Sequence, residues 1–116
     1  MEKIKDEKLR KILQEMAELL KQVYGNRLKA VILYGSVARG TQTEDSDVDI
    51  MVLVDGTDAQ LREYDERLSD VSTDLALKYM MVFSIIDVKY QGYQDWKTVS
   101  PFYKNVAQEG VVLYAA

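Results

Sequence analysis

The sequence predicts an α/β (α+β) fold, a mixed β-sheet with flanking helices, and three observations carry that prediction. Apolar residues recur at helical spacing near the start of the chain and again near its middle. Short apolar runs of strand length lie between and after these stretches. Their order along the chain is α-β-β-α-β-α. A length of 116 residues, 47% of them hydrophobic, suits one compact domain.

The first element is an amphipathic helix over roughly residues 3–24. Ile4, Leu9, Ile12, Leu13, Met16, Leu19, Leu20 and Val23 fall at steps of three and four. Lys3, Lys5, Lys8, Arg10 and Lys11 alternate with acids and read as its solvated face. Gly25-Asn26 is the stop, since glycine tolerates the left-handed cap. Leu28–Tyr34 follows as a strand, apolar on both faces apart from Lys29 and so central in its sheet. Val37-Ala38-Arg39 reads as a short helical turn, and residues 40–46 as a polar loop. Asp47–Val54 is the second strand, ended by the Asp55-Gly56 turn. Asp58 or Thr57 can cap a second amphipathic helix over residues 58–78, with Leu61, Tyr64, Leu68, Val71 and Leu75 as its stripe. Met80–Tyr90 is the third strand. Ser100-Pro101 starts a last helix that ends near Glu109-Gly110, and Val111–Tyr114 is a short edge strand.

Composition removes several kinds of chemistry. With no cysteine and no histidine, disulfides, thiolate metal sites and imidazole acid–base catalysis are excluded. Carboxylates, hydroxyls, Lys, Arg and a metal remain. A net charge of -4 argues against broad binding to DNA or RNA, which depends on Lys and Arg neutralising phosphates. It does not argue against a single nucleotide, whose phosphates metal ions can neutralise locally. The chain opens on mixed charge, and no apolar stretch approaches the roughly 20 residues that span a bilayer. A soluble cytoplasmic protein with no membrane partner is the expectation.

The chemistry concentrates in residues 33–54. Gly35-Ser36 ends the first strand, and after ten residues comes Asp47-Val48-Asp49 at the start of the second. Gly35 lets the backbone approach a phosphate closely, and Ser36 offers a hydroxyl and an amide at a helix start, where anions are favoured. Side chains alternate along a strand, so Asp47 and Asp49 share a face. Two carboxylates so close repel each other unless a cation lies between them. Oxygen donors without His or Cys favour Mg2+, with Mn2+ as the alternative. Arg39 could contact a triphosphate or could equally pair with Glu44 or Asp45 and hold the loop. Any one of these residues alone is commonly a turn or a cap; the combination in its strand–turn and loop–strand setting is not.

This pattern resembles the signature of the nucleotidyltransferase superfamily that includes DNA polymerase beta. The chain looks like a minimal nucleotidyltransferase, its specific motif confined to residues 33–54. Gly35, Ser36 and Arg39 are the candidate nucleotide-binding residues, and the resemblance implies that Ser36 sits on the β- and γ-phosphates. It implies that Asp47 and Asp49 hold two Mg2+ ions, and that ATP gives up AMP to a hydroxyl. The family usually has a third carboxylate on the next core strand, where it helps deprotonate the acceptor. Asp87 is the only acid in that strand here, but it lies late. Ser84 stands where the family's acid tends to be. Either Asp87 completes a catalytic, metal-binding trio, or Ser84 leaves the site one acid short.

Minimal nucleotidyltransferases of this type are often paired with a small helical HEPN toxin. The resemblance therefore implies an antitoxin that adenylylates a tyrosine of such a partner. Two alternatives stand beside it: an enzyme acting on a small molecule, and a nucleotide-binding antitoxin, catalytically weak or inactive, that neutralises by contact. Tyr64 and Tyr79 fall on a helix stripe and read as core. Tyr90, Tyr93, Trp96, Phe102 and Tyr103 read as packing for the C-terminal segment, with a docking patch or an adenine-facing wall as the sharper reading.

Overall fold

In the computed structural model, which describes residues 4–116, the first helix starts where a cap permits it. Asp6 accepts a hydrogen bond from the Leu9 amide at 3.1 Å, and α1 runs Glu7–Tyr24. The helix is thus shorter than its apolar periodicity: Ile4 is buried ahead of it, and residue 3 lies outside the described residues. Gly25 closes it at φ 58, a single 3₁₀ turn covers Gly25–Arg27, and β1 follows as Leu28–Tyr34.

A five-residue helix, α2 (Gly35–Arg39), is welded to the end of β1, and Gly40 caps it at φ 75. Strand β2 is Val48–Val54, so Asp47 sits just ahead of it. The helix expected over 58–78 is broken. α3 (Asp58–Arg62) opens on a capping box between Thr57 and Gln60, and α4 is Asp65–Tyr79. At the break the amides of Glu63 and Tyr64 bond three residues back, to Gln60 and Leu61. That tightened turn lets Leu61 and Leu68 reach the same core while Tyr64 lies against Tyr24, ring centroids 4.7 Å apart.

Strand β3 is Phe83–Lys89, shorter at both ends than expected. Met80 is spent as the cap of α4, and Tyr90 opens a helix, α5 (Tyr90–Trp96), that the strand-like composition concealed. α6 (Pro101–Glu109) begins with Ser100 accepting from the Tyr103 amide, and β4 (Val111–Ala115) is the predicted edge strand.

The four strands form one sheet in the order β3-β2-β1-β4. β1 is antiparallel to β2 and β4, and β2 is parallel to β3. The sheet is therefore mixed, with β1 and β2 central. Each face has its own apolar layer. Leu13, Met16 and Leu20 of α1 and Leu68, Val71 and Leu75 of α4 bury one face against Val31, Leu33, Ile50 and Val52. Tyr93 of α5 and Val106 of α6 cover Ile32, Met51 and Leu53 on the other. Each fully buried aliphatic side chain contributes roughly 1.5–3 kcal/mol by leaving water. Tyr64 and Tyr79 pack against the first layer as partly buried residues; Tyr93 is buried and Tyr103 partly so in the second. Trp96, by contrast, is exposed. Among the described residues no helix is long and apolar enough to cross a membrane.

Candidate active site

Two central strands bring the motif together. β1 ends at Tyr34 and β2 begins at Val48, and antiparallel pairing sets Tyr34 directly opposite Asp49. The chain then turns at Gly35 with φ 75, a conformation L side chains rarely adopt. A Cβ at Gly35 would collide with Oδ2 of Asp49 and stand 3.3 Å from its Cγ. Only glycine lets the turn lie this close to the carboxylate. Val37 is buried beneath α2 and fixes the short helix, which leaves Ser36 half-buried on its first turn. The first-turn amides of α2 have no intrahelical acceptor, and Tyr34 supplies no side-chain cap.

Asp49 lies on the face of β2 shared with Met51 and Leu53. Asp47, exposed, is close enough for its charge to act on Asp49. Partial burial and then that charge raise the Asp49 carboxyl above its ordinary value, while Arg39 pulls the other way. Arg39 itself reaches neither Glu44 nor Asp45; its Nη1 lies 3.4 Å from Glu109 Oε2 and joins α2 to α6 in an exposed pair. Such pairs contribute only about 0–1 kcal/mol, so Arg39 can leave Glu109 at little cost.

The third acid is where the sequence reading and the geometry part. The β2–β3 register sets Ser84 beside Asp49 and Asp87 beside Val52. Strand alternation then turns Asp87 to the opposite face of the sheet, under α1 and α4. There its Oδ2 accepts a hydrogen bond of 3.0 Å from the Tyr24 hydroxyl. The fold therefore does not bring Asp87 to Asp47 and Asp49: it lies an odd number of residues from Ser84, and parity turns it to the other face. Among the described residues no three acidic side chains converge as a metal cluster. What the fold assembles is a pair, Asp47 and Asp49, against the Gly35-Ser36 turn.

The nucleotidyltransferase domain family matches residues 8–112. The chain belongs to that family. This nucleotidyltransferase is 38% identical over 104 residues to a Methanocaldococcus jannaschii protein assigned as a protein adenylyltransferase, covering 90% of this chain and 96% of that one. A second such protein of the same organism is 31% identical over 110 residues, covering 94% and 74%. Its fold matches that of a toxin–antitoxin structure, MntA-HpeT, with TM-score 0.61, 21% identity and coverage of 90% and 73%. A toxin–antitoxin structure with AMP-PNP gives TM-score 0.58 at 22% identity, covering 89% and 73%. The tri-AMPylated Shewanella oneidensis HEPN toxin in complex with its MNT antitoxin gives 0.56 at 18%, covering 92% and 73%.

One neighbour of the nucleotidyltransferase site escaped the sequence reading. Tyr34 shares the Asp49 face, where burial and the Asp49 charge raise its hydroxyl above the ordinary range. The edge of Phe102, from α6, packs on it with centroids 5.5 Å apart. Its position just before Gly35 was the available signal; the α6 partner was not visible without the fold.

Asp87→Asn separates the two carboxylate environments of this nucleotidyltransferase. Burial, foremost, raises the Asp87 carboxyl, the Tyr24 hydrogen bond lowers it, and the Asp65 charge raises it further. A folded value above the unfolded one means that stability falls as pH climbs from the unfolded value, about 3.9, through the folded one. The Asn amide oxygen can still accept from Tyr24. Asp87→Asn is expected to keep transferase activity and to melt at or above the wild-type Tm at pH 7, the difference closing at acid pH. A loss of transfer at unchanged Tm would return Asp87 to the site.

Proposed function

We propose that this chain transfers AMP from ATP to a tyrosine hydroxyl of a HEPN toxin partner in the cytoplasm, and so acts as its antitoxin. The observation that carries the reading is the contact of the Gly35 turn with Asp49, which sets a phosphate-binding turn against a paired-carboxylate site. The assignment of the M. jannaschii relatives as protein adenylyltransferases, and the tri-AMPylated HEPN toxin bound to its MNT antitoxin, support both reaction and partner.

The donor set fits Mg2+. Asp47 and Asp49 are hard oxygen donors whose mutual repulsion a divalent cation relieves, and one or two carboxylates plus substrate phosphates are what Mg2+ commonly takes. Bound there, the metal would supply charge neutralisation for the phosphates and the departing pyrophosphate. Ser36 and the first-turn amides of α2 would hold the phosphate oxygens, and Arg39, released from Glu109, would reach the triphosphate. Tyr34 and Phe102 would bound the nucleotide on the α6 side. The acceptor hydroxyl gives its proton to water, its oxygen attacks the α-phosphorus, and pyrophosphate leaves with the bridging oxygen.

The short acid supply favours a tyrosine. With Ser84 beside Asp49, no third carboxylate among the described residues stands ready to take the acceptor proton. A phenol, with pKa about 10, gives up its proton far more readily than an aliphatic hydroxyl and needs a weaker base. The same Ser84 favours a second reading, neutralisation by contact with slow transfer or none.

Incubation with ATP labelled on the α-phosphate, Mg2+ and a HEPN toxin tests the proposal. Label on a HEPN tyrosine, lost with EDTA and with Asp47→Asn, is expected. Neutralisation of the toxin that persists without label would favour contact, and label on a small molecule instead would overturn the choice of acceptor.

A further inference from the structure

The junction of α4 and β3 carries two features that work against folding and do nothing for the core. Met80 caps α4 with φ 54 and ψ 43, and it is the only non-glycine residue with positive φ among the described residues. Helices that end this way mostly place Gly or Asn there, because a Cβ crowds the neighbouring backbone in the left-handed conformation. Met80 also leaves its side chain 88% exposed, with Leu77 at 73% one turn earlier and Val82 at 60% two residues later. Three large apolar side chains so exposed within six residues are an exposed patch of the kind that marks an interaction site.

The patch adjoins the active site. The Val82 carbonyl accepts from the Val48 amide at 2.8 Å, so Val82 lies across from the Asp47-Val48 step. Met80 and Val82 line one wall of a hollow of about 530 Å³ whose opposite wall is the loop ending in Asp47. Its floor is apolar. Its rim bears Asp6, Glu44 and Asp45 as well as Asp47, against Lys8 as the one base among the described lining residues.

We propose that this hollow and its apolar lip are the docking surface for the protein that supplies the acceptor hydroxyl. The occupant is an apolar side chain ringed by Lys or Arg on that partner, seated so that the neighbouring tyrosine reaches Asp47 and Asp49. Charge selects a basic partner over a second copy of this chain. A two-fold pairing through this patch would set one acidic rim against another, in a molecule of net charge -4. The inference rests on the transfer reaction proposed above only for the identity of the occupant.

The test uses the intact chain with a HEPN toxin as the probe. Met80→Gly removes both the apolar surface and the backbone strain, and Val82→Ser removes apolar surface alone. Met80→Gly is expected to hold or raise Tm, by up to about 4 °C. Both variants are expected to weaken HEPN binding without nucleotide at least tenfold by calorimetry, and to raise the KM for HEPN while kcat and the KM for ATP stay put. Glu44→Lys is expected to weaken binding with a reduced salt dependence. HEPN affinity unchanged within twofold in both apolar variants would overturn the docking surface, as would a wild-type chain that binds no HEPN protein. A dimer lost in Met80→Gly with HEPN affinity intact would assign the patch to a second copy and overturn the proposal as well. A wild-type chain that binds HEPN but transfers no label sinks the transfer reading alone, and the binding comparison still decides the surface.

Discussion

Asp49→Asn is expected to lower transfer by about 10³-fold or more while leaving the protein at least as stable as the wild type. The substitution keeps the shape of the side chain and removes its charge. What it removes is half of the oxygen pair through which a divalent cation would be held, and that cation's charge stabilisation is an effect of several kcal/mol. What it relieves is the partial burial of a charge facing the like charge of Asp47, the two causes that raise Asp49 in the folded state. Activity and stability should thus move in opposite directions. Magnesium gives a readout independent of catalysis. A ligand that binds only the folded state raises Tm in proportion to the logarithm of its excess over Kd, so millimolar Mg2+ with ATP should stabilise wild type and leave Asp49→Asn unmoved. Asp47→Asn should behave alike. Equal Mg2+-linked stabilisation in wild type and both variants would remove the paired carboxylates as the metal site.

The split between what the residues disclosed and what they hid has a physical pattern. The local geometry of Gly35, Ser36, Asp47 and Asp49 was legible because each feature is local: a turn conformation, a hydroxyl at a helix start, two carboxylates at strand spacing. The central place of Leu28–Tyr34 was legible for a similar reason, since a strand apolar on both faces has nowhere else to go. The choice between Asp87 and Ser84 stayed open because strand parity means nothing until the pairing is known, and the β2–β3 register sets Ser84 beside Asp49 and turns Asp87 to the other face. The break at Glu63–Tyr64 was hidden because the apolar period runs straight across it. The short α5 was hidden because its tyrosines and tryptophan suit a strand as well as a helix. The left-handed Met80 had no sequence signal at all, since the residue expected in that conformation is glycine.

Gly35→Ala is expected to cost at least 10²-fold in kcat/KM, more than its effect on folding accounts for. Two penalties fall on the alanine. The backbone at φ 75 is strained for any L side chain, by about 1–3 kcal/mol. The new methyl would also meet Oδ2 of Asp49, whose Cγ and Cβ stand only 3.3 and 3.4 Å away. Since Asp49 is held on a central strand, its carboxylate must rotate off its position or the turn must lift. Either shifts the Gly35-Ser36 turn relative to Asp49, and a shift of about 1 Å in a reacting constellation can lower a rate 10²-fold. Gly40→Ala provides the matched control. Gly40 has the same φ of 75, but a Cβ there meets nothing within 4 Å. It carries the strain without the collision. Both variants should therefore lose stability in urea, Gly35→Ala the more because of the collision, while Gly40→Ala keeps most of its transfer and its Mg2+-linked stabilisation and Gly35→Ala loses both. Equal activity in the two would show that the close approach of Gly35 to Asp49 is a packing detail and not what aligns the site.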